Sequence, residues 1–170
     1  MSLPSVSGGF LKSESDTLYV EIPSFVENTS SELETLIKGL DKKPKKVILD
    51  LRGNGGGLVE QAIKVASYFV PEGAVLYELG RDANSLETFN VSGANFLDVP
   101  LAVLVDGNTA SSSEILAGAI QDRQSGKLIG ETTYGKAVMQ SVIPTPAGGG
   151  IRLTTKCYLT PNKRDINKTG

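Results

Sequence analysis

Residues 45–70, KKVILDLRGNGGGLVEQAIKVASYFV, constrain the fold of this chain more than any other segment. The segment opens with a short continuous apolar run, which is typical of a strand covered on both faces. Four glycines follow, and apolar residues then recur at helical spacing until Pro71 ends the helix. The predicted apolar face of that helix comprises Leu58, Ala62, Val65, Ala66 and Phe69. Strand, glycine turn and helix in this order predict one unit of an open α/β sheet.

The same alternation continues along the chain. TLYVEIPSF predicts a strand before a helix in ENTSSELETLIKGLDKK, whose apolar face is Leu33, Leu36, Ile37 and Leu40. Strands are predicted in AVLYELGR, ETFNVSG, PLAVLVDG and KLIGETT, with a helix in SSSEILAGAIQDRQ. KAVMQSVIPTPAGGGIRLTTKCYLTP predicts a C-terminal hairpin that closes or extends the sheet. We expect one domain over residues 1–170, with residues 1–16 as a flexible leader or a segment added by cloning.

Composition excludes several classes of function. The chain has 170 residues, a net charge of −2 and no basic bias, which argues against a nucleic-acid partner. No apolar run is long enough for a membrane span, and no signal peptide is recognisable at the start. With no histidine and one cysteine, neither an intrachain disulfide nor the usual zinc site is possible. We interpret Cys157 as a packed strand residue.

The glycine turn DLRGNGGGL holds Gly53, Gly55, Gly56 and Gly57 directly after the buried strand. Their backbone N–H groups could approach a ligand closely and point at a negative charge, which favours an anion or oxyanion site. The alternative is a tight turn, which needs only one or two glycines. The Gly-Lys-Ser/Thr end of a phosphate loop is missing, and Leu58 stands where a dinucleotide fingerprint has its last glycine.

Three consecutive serines, Ser111, Ser112 and Ser113, precede the last predicted helix. Ser111 and Glu114 match a capping box, so a serine here can serve only to satisfy the first N–H groups of the helix. A nucleophile at a helix N-terminus is also favoured, because the helix dipole stabilises the negative charge that develops beside it. The residues alone do not decide between the three serines.

A serine nucleophile needs a base, and the absence of histidine excludes the Ser-His-Asp arrangement. The remaining variant pairs serine with a lysine whose pKa burial lowers, so that the neutral amine accepts the proton. Most lysines of this chain lie in charge runs or in the polar tail. Lys136 instead precedes an apolar stretch, and in a strand Lys136, Val138 and Gln140 would share one face. A surface lysine at the start of a strand is the alternative.

VILDLRGNGGGL, TASSSEILAGAIQD and IGETTYGKAVMQ together resemble the core of the carboxyl-terminal processing proteases, also called tail-specific proteases. The resemblance covers the chain from about residue 18 to its end. It implies Ser111 as nucleophile, Lys136 as general base 25 residues later and Gln140, four residues further on, as the residue that orients the amine. It also implies a lesser supporting position at Asp122.

The same resemblance implies an oxyanion hole built from the N–H of Ser112 and one N–H of the glycine turn, for which we favour Gly56 over Gly57. The implied fold is crotonase-like, of the α/β class, with a mixed twisted sheet, flanking helices and a C-terminal β-hairpin. The implied activity is a serine endopeptidase that cuts proteins near their C-termini through an acyl-enzyme, without a metal or an organic cofactor. The implied partner is a protein or peptide substrate that binds through its C-terminal region. The resemblance leaves open whether the protein forms a homo-oligomer.

The chain departs from the family pattern at several points. Ser112 replaces a common alanine and Thr109 a frequent serine, and we expect both to be tolerated because neither side chain belongs to the dyad. Family members carry a PDZ domain before or within this region, and we expect none here. Family members are located in the bacterial envelope or the chloroplast lumen, and the resemblance therefore implies an extracytoplasmic location for this protein. Two alternatives remain: a noncatalytic ligand-binding module, as in retinoid-binding relatives, and a crotonase-type acyl-CoA enzyme that would use the glycine N–H groups for a thioester enolate.

Overall fold

The structure of the chain is a computed structural model that describes residues 4–80, 85–145 and 148–170. Its three helices are α1 (Thr29–Lys38), α2 (Val59–Phe69) and α3 (Ser112–Asp122). The strands that come before α3 are β1 (Ser7–Phe10), β2 (Thr17–Glu21), β3 (Lys46–Asp50), β4 (Gly73–Leu79), β5 (Leu86–Val91) and β6 (Leu101–Val105). The strands that follow it are β7 (Lys127–Gly130), β8 (Val138–Pro144) and β9 (Gly150–Leu159).

One sheet has five strands in the order β1-β2-β3-β6-β7. In this sheet β2, β3, β6 and β7 run parallel to one another, and β1 pairs antiparallel with β2. Residues 7–10, which the sequence analysis assigned to a leader, therefore form an edge strand of the sheet and are not a flexible segment. The sequence SGGF has low strand propensity, but a Cβ at Gly8 would lie 2.3 Å from the carbonyl oxygen of Tyr19. Glycine is present because the two backbones approach too closely for a side chain.

The second sheet has four antiparallel strands in the order β5-β4-β9-β8. The predicted C-terminal hairpin is β8–β9, and it joins β4 through the pairing of Tyr77 with Leu159. The α/β class and the C-terminal hairpin are confirmed. The hairpin extends this second sheet, because β4, which follows α2, pairs with β9 on one edge and with β5 on the other.

The core lies between the parallel sheet and the helices α2 and α3. Fully buried side chains from both layers meet there, among them Leu18, Leu49, Phe69, Leu116 and Ile120. Burying each such side chain is worth about 1.5–3 kcal/mol, so the sheet and the two helices hold the glycine turn and the start of α3 in place. Leu58, predicted to belong to the apolar face of α2, is 44% exposed because the helix begins one residue later. No helix in the described ranges is long and apolar enough to cross a membrane.

Candidate active site

The candidate site lies where the neighbouring parallel strands β3 and β6 end. Asp50 at the end of β3 pairs with Leu104 of β6, so the segments that follow both strands leave the sheet at the same edge. The two segments are joined directly, since the N–H of Ala110 donates to the carbonyl of Asn54 at 3.0 Å. The glycine turn and the start of α3 thus form one continuous surface.

Ser111 occupies a strained backbone conformation at the start of α3. Its φ of 57° and ψ of −119° lie in a region that non-glycine residues rarely adopt, at a cost of about 1–3 kcal/mol. A Cβ at Gly56 would come within 2.8 Å of the Ser111 Cβ, so glycine there leaves room for this arrangement. Such strain is concentrated at functional sites, where it aims a side chain that an ordinary turn would direct elsewhere.

Glu114 connects this serine to the segment that carries Lys136. Its carboxylate is 2% exposed and accepts four hydrogen bonds. Oε2 accepts the backbone N–H groups of Ser111 at 2.8 Å and Lys136 at 2.9 Å. Oε1 accepts the Thr133 hydroxyl and the Gly135 N–H, each at 2.7 Å. The sequence indicated only a capping role for Glu114, because its partners 19 to 22 residues away were not recognisable from local spacing.

Tyr158 of β9 joins the same two residues from the other side, and the sequence analysis missed it. Its phenolic oxygen lies 3.0 Å from the carbonyl oxygen of Ser111 and 2.8 Å from that of Lys136, so the hydroxyl donates to this pair of acceptors. Burial, and secondarily the negative charge of Glu114, raises the pKa of Tyr158 well above its ordinary value. The hydroxyl therefore keeps its proton.

A cavity of 440 Å³ contains Ser111, Lys136 and Gln140 in its wall. Val138 and Met139 also line it, and the glycine turn contributes Gly55 and Gly57. The structure thus brings the predicted nucleophile, base and orienting residue to one place. The Ser111 hydroxyl and the Lys136 amine share this cavity without a hydrogen bond between them, an arrangement common in sites without substrate.

The other two serines point elsewhere. The Ser112 hydroxyl donates to the carbonyl of Gly57 at 2.8 Å, which fastens the start of α3 to the glycine turn. The Ser113 hydroxyl is buried without a partner in the part of the chain that the structure describes. Only the first serine of the triplet lines the cavity, so tertiary structure separates three residues that local sequence does not.

Lys136 also differs in its surroundings from the other lysines. It is half-buried and forms no ion pair with any described carboxylate. Lys42 and Lys45, by contrast, pair with Asp16 at the surface. Lys156 lines the same cavity, but its ammonium is bonded to Glu78, and that hydrogen bond and charge raise the pKa of Lys156. Of the two cavity lysines, Lys136 is the one with an unengaged amine.

The two glycines predicted for the oxyanion hole differ in whether their N–H groups are engaged. The N–H of Gly56 donates to Oδ1 of the buried Asn54 at 2.9 Å, so it is already engaged. Within residues 4–80, 85–145 and 148–170 the N–H groups of Gly57 and Ser112 have no hydrogen-bond partner. Of these two candidate glycines, Gly57 is therefore the one whose N–H is free. Asn54 was missed, because an asparagine among glycines reads as an ordinary turn residue.

Asp122, the predicted supporting residue, lies at the opposite end of α3. At 1.5 Å per residue the eleven residues from Ser111 correspond to about 16 Å. Its carboxylate accepts the N–H of Asn162 at 2.8 Å and pairs with Arg164, so it holds the C-terminal segment against the helix. It does not line the cavity, and any support for the site is exerted through the helix.

The sequence of this chain is similar to those of known peptidases. A family model described as peptidase family S41 matches residues 16–170. The chain is 40% identical over 153 residues to a carboxyl-terminal-processing protease of Synechocystis sp., covering 89% of this chain and 36% of that protein. It is 39% identical over 154 residues to the chloroplastic carboxyl-terminal-processing peptidase 1 of Arabidopsis thaliana, covering 89% and 32%. The chain spans about a third of the length of these curated relatives.

Among solved structures, the fold is similar to that of a photosystem II D1 C-terminal processing protease. The TM-score is 0.83 at 29% identity, and the match covers 100% of this chain and 47% of that one. The similarity thus includes both sheets and the segments that surround the cavity.

Proposed function

The chain belongs to peptidase family S41, and on that premise we propose that its 440 Å³ cavity is the active site of a serine endopeptidase with Ser111 as nucleophile and Lys136 as general base. The observation that carries the proposal is that Ser111 and Lys136 line one cavity while their backbones are held by the same carboxylate oxygen of Glu114. Because one carboxylate holds both backbones, the position of the nucleophile relative to its base is fixed.

In the proposed reaction, the neutral amine of Lys136 accepts the proton of the Ser111 hydroxyl as the oxygen attacks the carbonyl carbon of the scissile peptide bond. The resulting oxyanion is stabilised by the free N–H groups of Ser112 and Gly57, each worth about 3–4 kcal/mol in such sites. The N-terminal end of α3 contributes its dipole to the same charge.

The Lys136 ammonium then gives its proton to the departing amine, which leaves an ester between Ser111 and the substrate's acyl group. A water molecule, deprotonated by Lys136, attacks this ester and releases the acid, and the proton returns to Ser111. Gln140 orients the Lys136 amine from the same cavity wall. No step requires a metal or an organic cofactor.

We further propose that the substrate is a protein cut near its C-terminus, since the curated relatives are carboxyl-terminal processing enzymes. We also propose that the protein acts outside the cytoplasm and that residues 1–170 form one protease core. A PDZ domain would receive the substrate's C-terminus in a protein of this family.

The test is mass-spectrometric labelling of the full chain by an alkyl fluorophosphonate. Ser111 is expected to be labelled, with the rate followed from about pH 6 to about pH 10. Ser111→Ala should abolish labelling, and Lys136→Arg should abolish it too, because arginine cannot deprotonate.

Two variants serve as matched controls. Ser113→Ala removes a neighbouring hydroxyl that does not face the cavity, and Lys156→Arg keeps the charge of the other cavity lysine. In both variants Ser111 should be labelled at the same rate as in the wild type. Persistent labelling of Ser111 in Lys136→Arg would exclude the lysine from the mechanism, and a chain that is never labelled would favour a ligand-binding module.

A further inference from the structure

A second cavity lies beside the first and shares Lys136 with it. Its volume is 550 Å³, and its wall comprises Gly53, Gly55, Asn108, Ala110, Tyr134 and Lys136. Lys136 and Gly55 also line the 440 Å³ cavity, whereas Ser111 lines only that first cavity. The candidate base thus borders both cavities, and the candidate nucleophile borders one.

Tyr134 is the aromatic residue in the wall of this second cavity. It is 65% exposed, the highest value among the exposed large apolar residues that the structure describes. Its backbone is nevertheless fixed, because its N–H donates to the carbonyl of Thr109 at 2.9 Å and the N–H of Gly135 donates to Glu114 at 2.7 Å. A tyrosine on a fixed backbone offers a ligand a large contact area at little cost in conformational entropy.

The remaining wall of the second cavity is open and almost without charge. A Cβ at Gly53 or at Gly55 would meet no atom within 4 Å, so no described part of the fold fills the space above these glycines. Lys136 is the one charged residue in the wall. An apolar side chain of a ligand suits these surroundings, since the tyrosine ring offers it apolar surface and the lysine would repel a cation.

The proposed reaction indicates which part of a substrate reaches the second cavity. During acylation the acyl part becomes bonded to Ser111, and the departing amine takes its proton from Lys136. The acyl part therefore occupies the cavity that contains Ser111. The departing amine lies next to Lys136, and the second cavity is the space that Lys136 borders without Ser111.

We propose that Tyr134 contacts the first residue after the scissile bond and that the second cavity selects an apolar side chain at this position. The inference rests on the proposed function and adds a residue that determines specificity for the departing segment of the substrate. An amine that attacks the acyl-enzyme follows the path of the departing amine in reverse, so it should meet the same tyrosine.

The test measures this reverse step. A peptide thiobenzyl ester acylates Ser111 of the full chain and releases benzyl thiol, and the acyl-enzyme then reacts with water or with an added amino acid amide. In the reaction with the amide, the amine nitrogen bonds to the acyl carbon and the ester bond to Ser111 breaks. The proton of the amine passes through Lys136 to the Ser111 oxygen. Phenylalaninamide and glycinamide compete at equal concentrations of free amine, and mass spectrometry measures the ratio of their two products.

The wild type should favour phenylalaninamide about fivefold to tenfold, because its side chain covers the ring of Tyr134. Tyr134→Ala should bring the ratio to within about twofold of unity, and Tyr134→Phe, which keeps the ring, should retain the preference. Ile129→Ala removes an exposed apolar side chain that lines neither cavity, and as the matched control it should keep the wild-type ratio. Both amides react with the same acyl-enzyme, so the ratio does not depend on the rate of acylation or on the amount of folded protein.

A preference for phenylalaninamide that persists in Tyr134→Ala overturns the proposal, as does equal use of the two amides by the wild type. A third contrary result is a change in Tyr134→Ala that affects the choice between thiobenzyl esters differing in their last residue, because the ring would then face the acyl part. Failure of the proposed function is distinguishable from these results. In that case no acyl group would be found on Ser111 at all, and the inference about Tyr134 would fail with it.

Discussion

The backbone N–H of Lys136 donates to the buried carboxylate of Glu114 at 2.9 Å. The same oxygen accepts the N–H of Ser111, so one side chain of α3 holds the backbones of both candidate catalytic residues. A buried carboxylate with four donors is strongly coupled to its surroundings, because removal of an acceptor leaves several polar groups without partners. Glu114 therefore links the stability of the fold to the geometry of the site.

Glu114→Gln is expected to lower both stability and acylation. The amide keeps the size of the side chain but replaces an acceptor oxygen with an NH₂ group that faces N–H donors. We expect a loss of about 2–3 kcal/mol in the free energy of unfolding and at least about a tenfold decrease in the labelling rate of Ser111. Urea unfolding and fluorophosphonate labelling measure the two effects. Glu131→Gln, an exposed change, is the control, and equal behaviour of both variants would contradict the prediction.

Tyr158→Phe tests the second connection between Ser111 and Lys136. Loss of the hydroxyl removes the donor to the two carbonyls, and we expect about 1–2 kcal/mol of destabilisation with slower labelling. Because burial raises the pKa of Tyr158, its hydroxyl does not titrate in the range of the labelling experiment. The shape of the pH–rate profile should thus be the same in both proteins. A profile that changes shape in Tyr158→Phe would show that this tyrosine takes part in proton transfer.

Ser112→Ala tests whether the departure from the family's alanine is neutral. The change removes the hydrogen bond to the Gly57 carbonyl but keeps the backbone N–H proposed for the oxyanion hole. We expect about 1 kcal/mol of destabilisation and a labelling rate within about twofold of the wild type. A large loss of labelling in a stably folded variant would mean that the hydroxyl itself positions the hole.

Asp50 should make the stability of the protein sensitive to acid. The hydrogen bonds from Arg52, with a further one from Tyr19, lower the pKa of Asp50 to about 2. Since the folded pKa lies below the unfolded value, the stabilisation is present above about pH 4 and is lost as the pH falls through about 2. The stability difference between the wild type and Asp50→Asn, about 2 kcal/mol near neutral pH, should shrink over this window.

Urea unfolding at a series of pH values from about 6 down to about 2 measures this difference. Asp98→Asn, at an exposed position, is the control for the change from aspartate to asparagine. A difference that stays constant throughout the window would show that the loss in Asp50→Asn comes from packing.

The local elements were predictable because their signals are local. Apolar periodicity located α1 and α2, and the continuous apolar run located β3. Strand β1 was not predictable, since Gly8 is explained only by the backbone of β2 beside it. The second sheet was missed for the same reason: pairing between β4 and β9 joins segments about 80 residues apart, and no local pattern records it.

The sequence by itself determined the chemistry that the chain can perform: without histidine, a serine nucleophile requires another base, and the spacing of Ser111, Lys136 and Gln140 indicated which residues to consider. Tertiary structure decided that Ser111 is the serine that lines the cavity and that the Gly56 N–H is engaged by Asn54, because adjacent residues of the same type differ in dihedral angles and in hydrogen-bond partners. It also showed that Asp122 lies away from the cavity and that Glu114 and Tyr158 connect the site. Hydrogen bonds between distant segments exist only after the chain has closed its loops, so the residues that hold a site together are the ones that sequence spacing does not reveal.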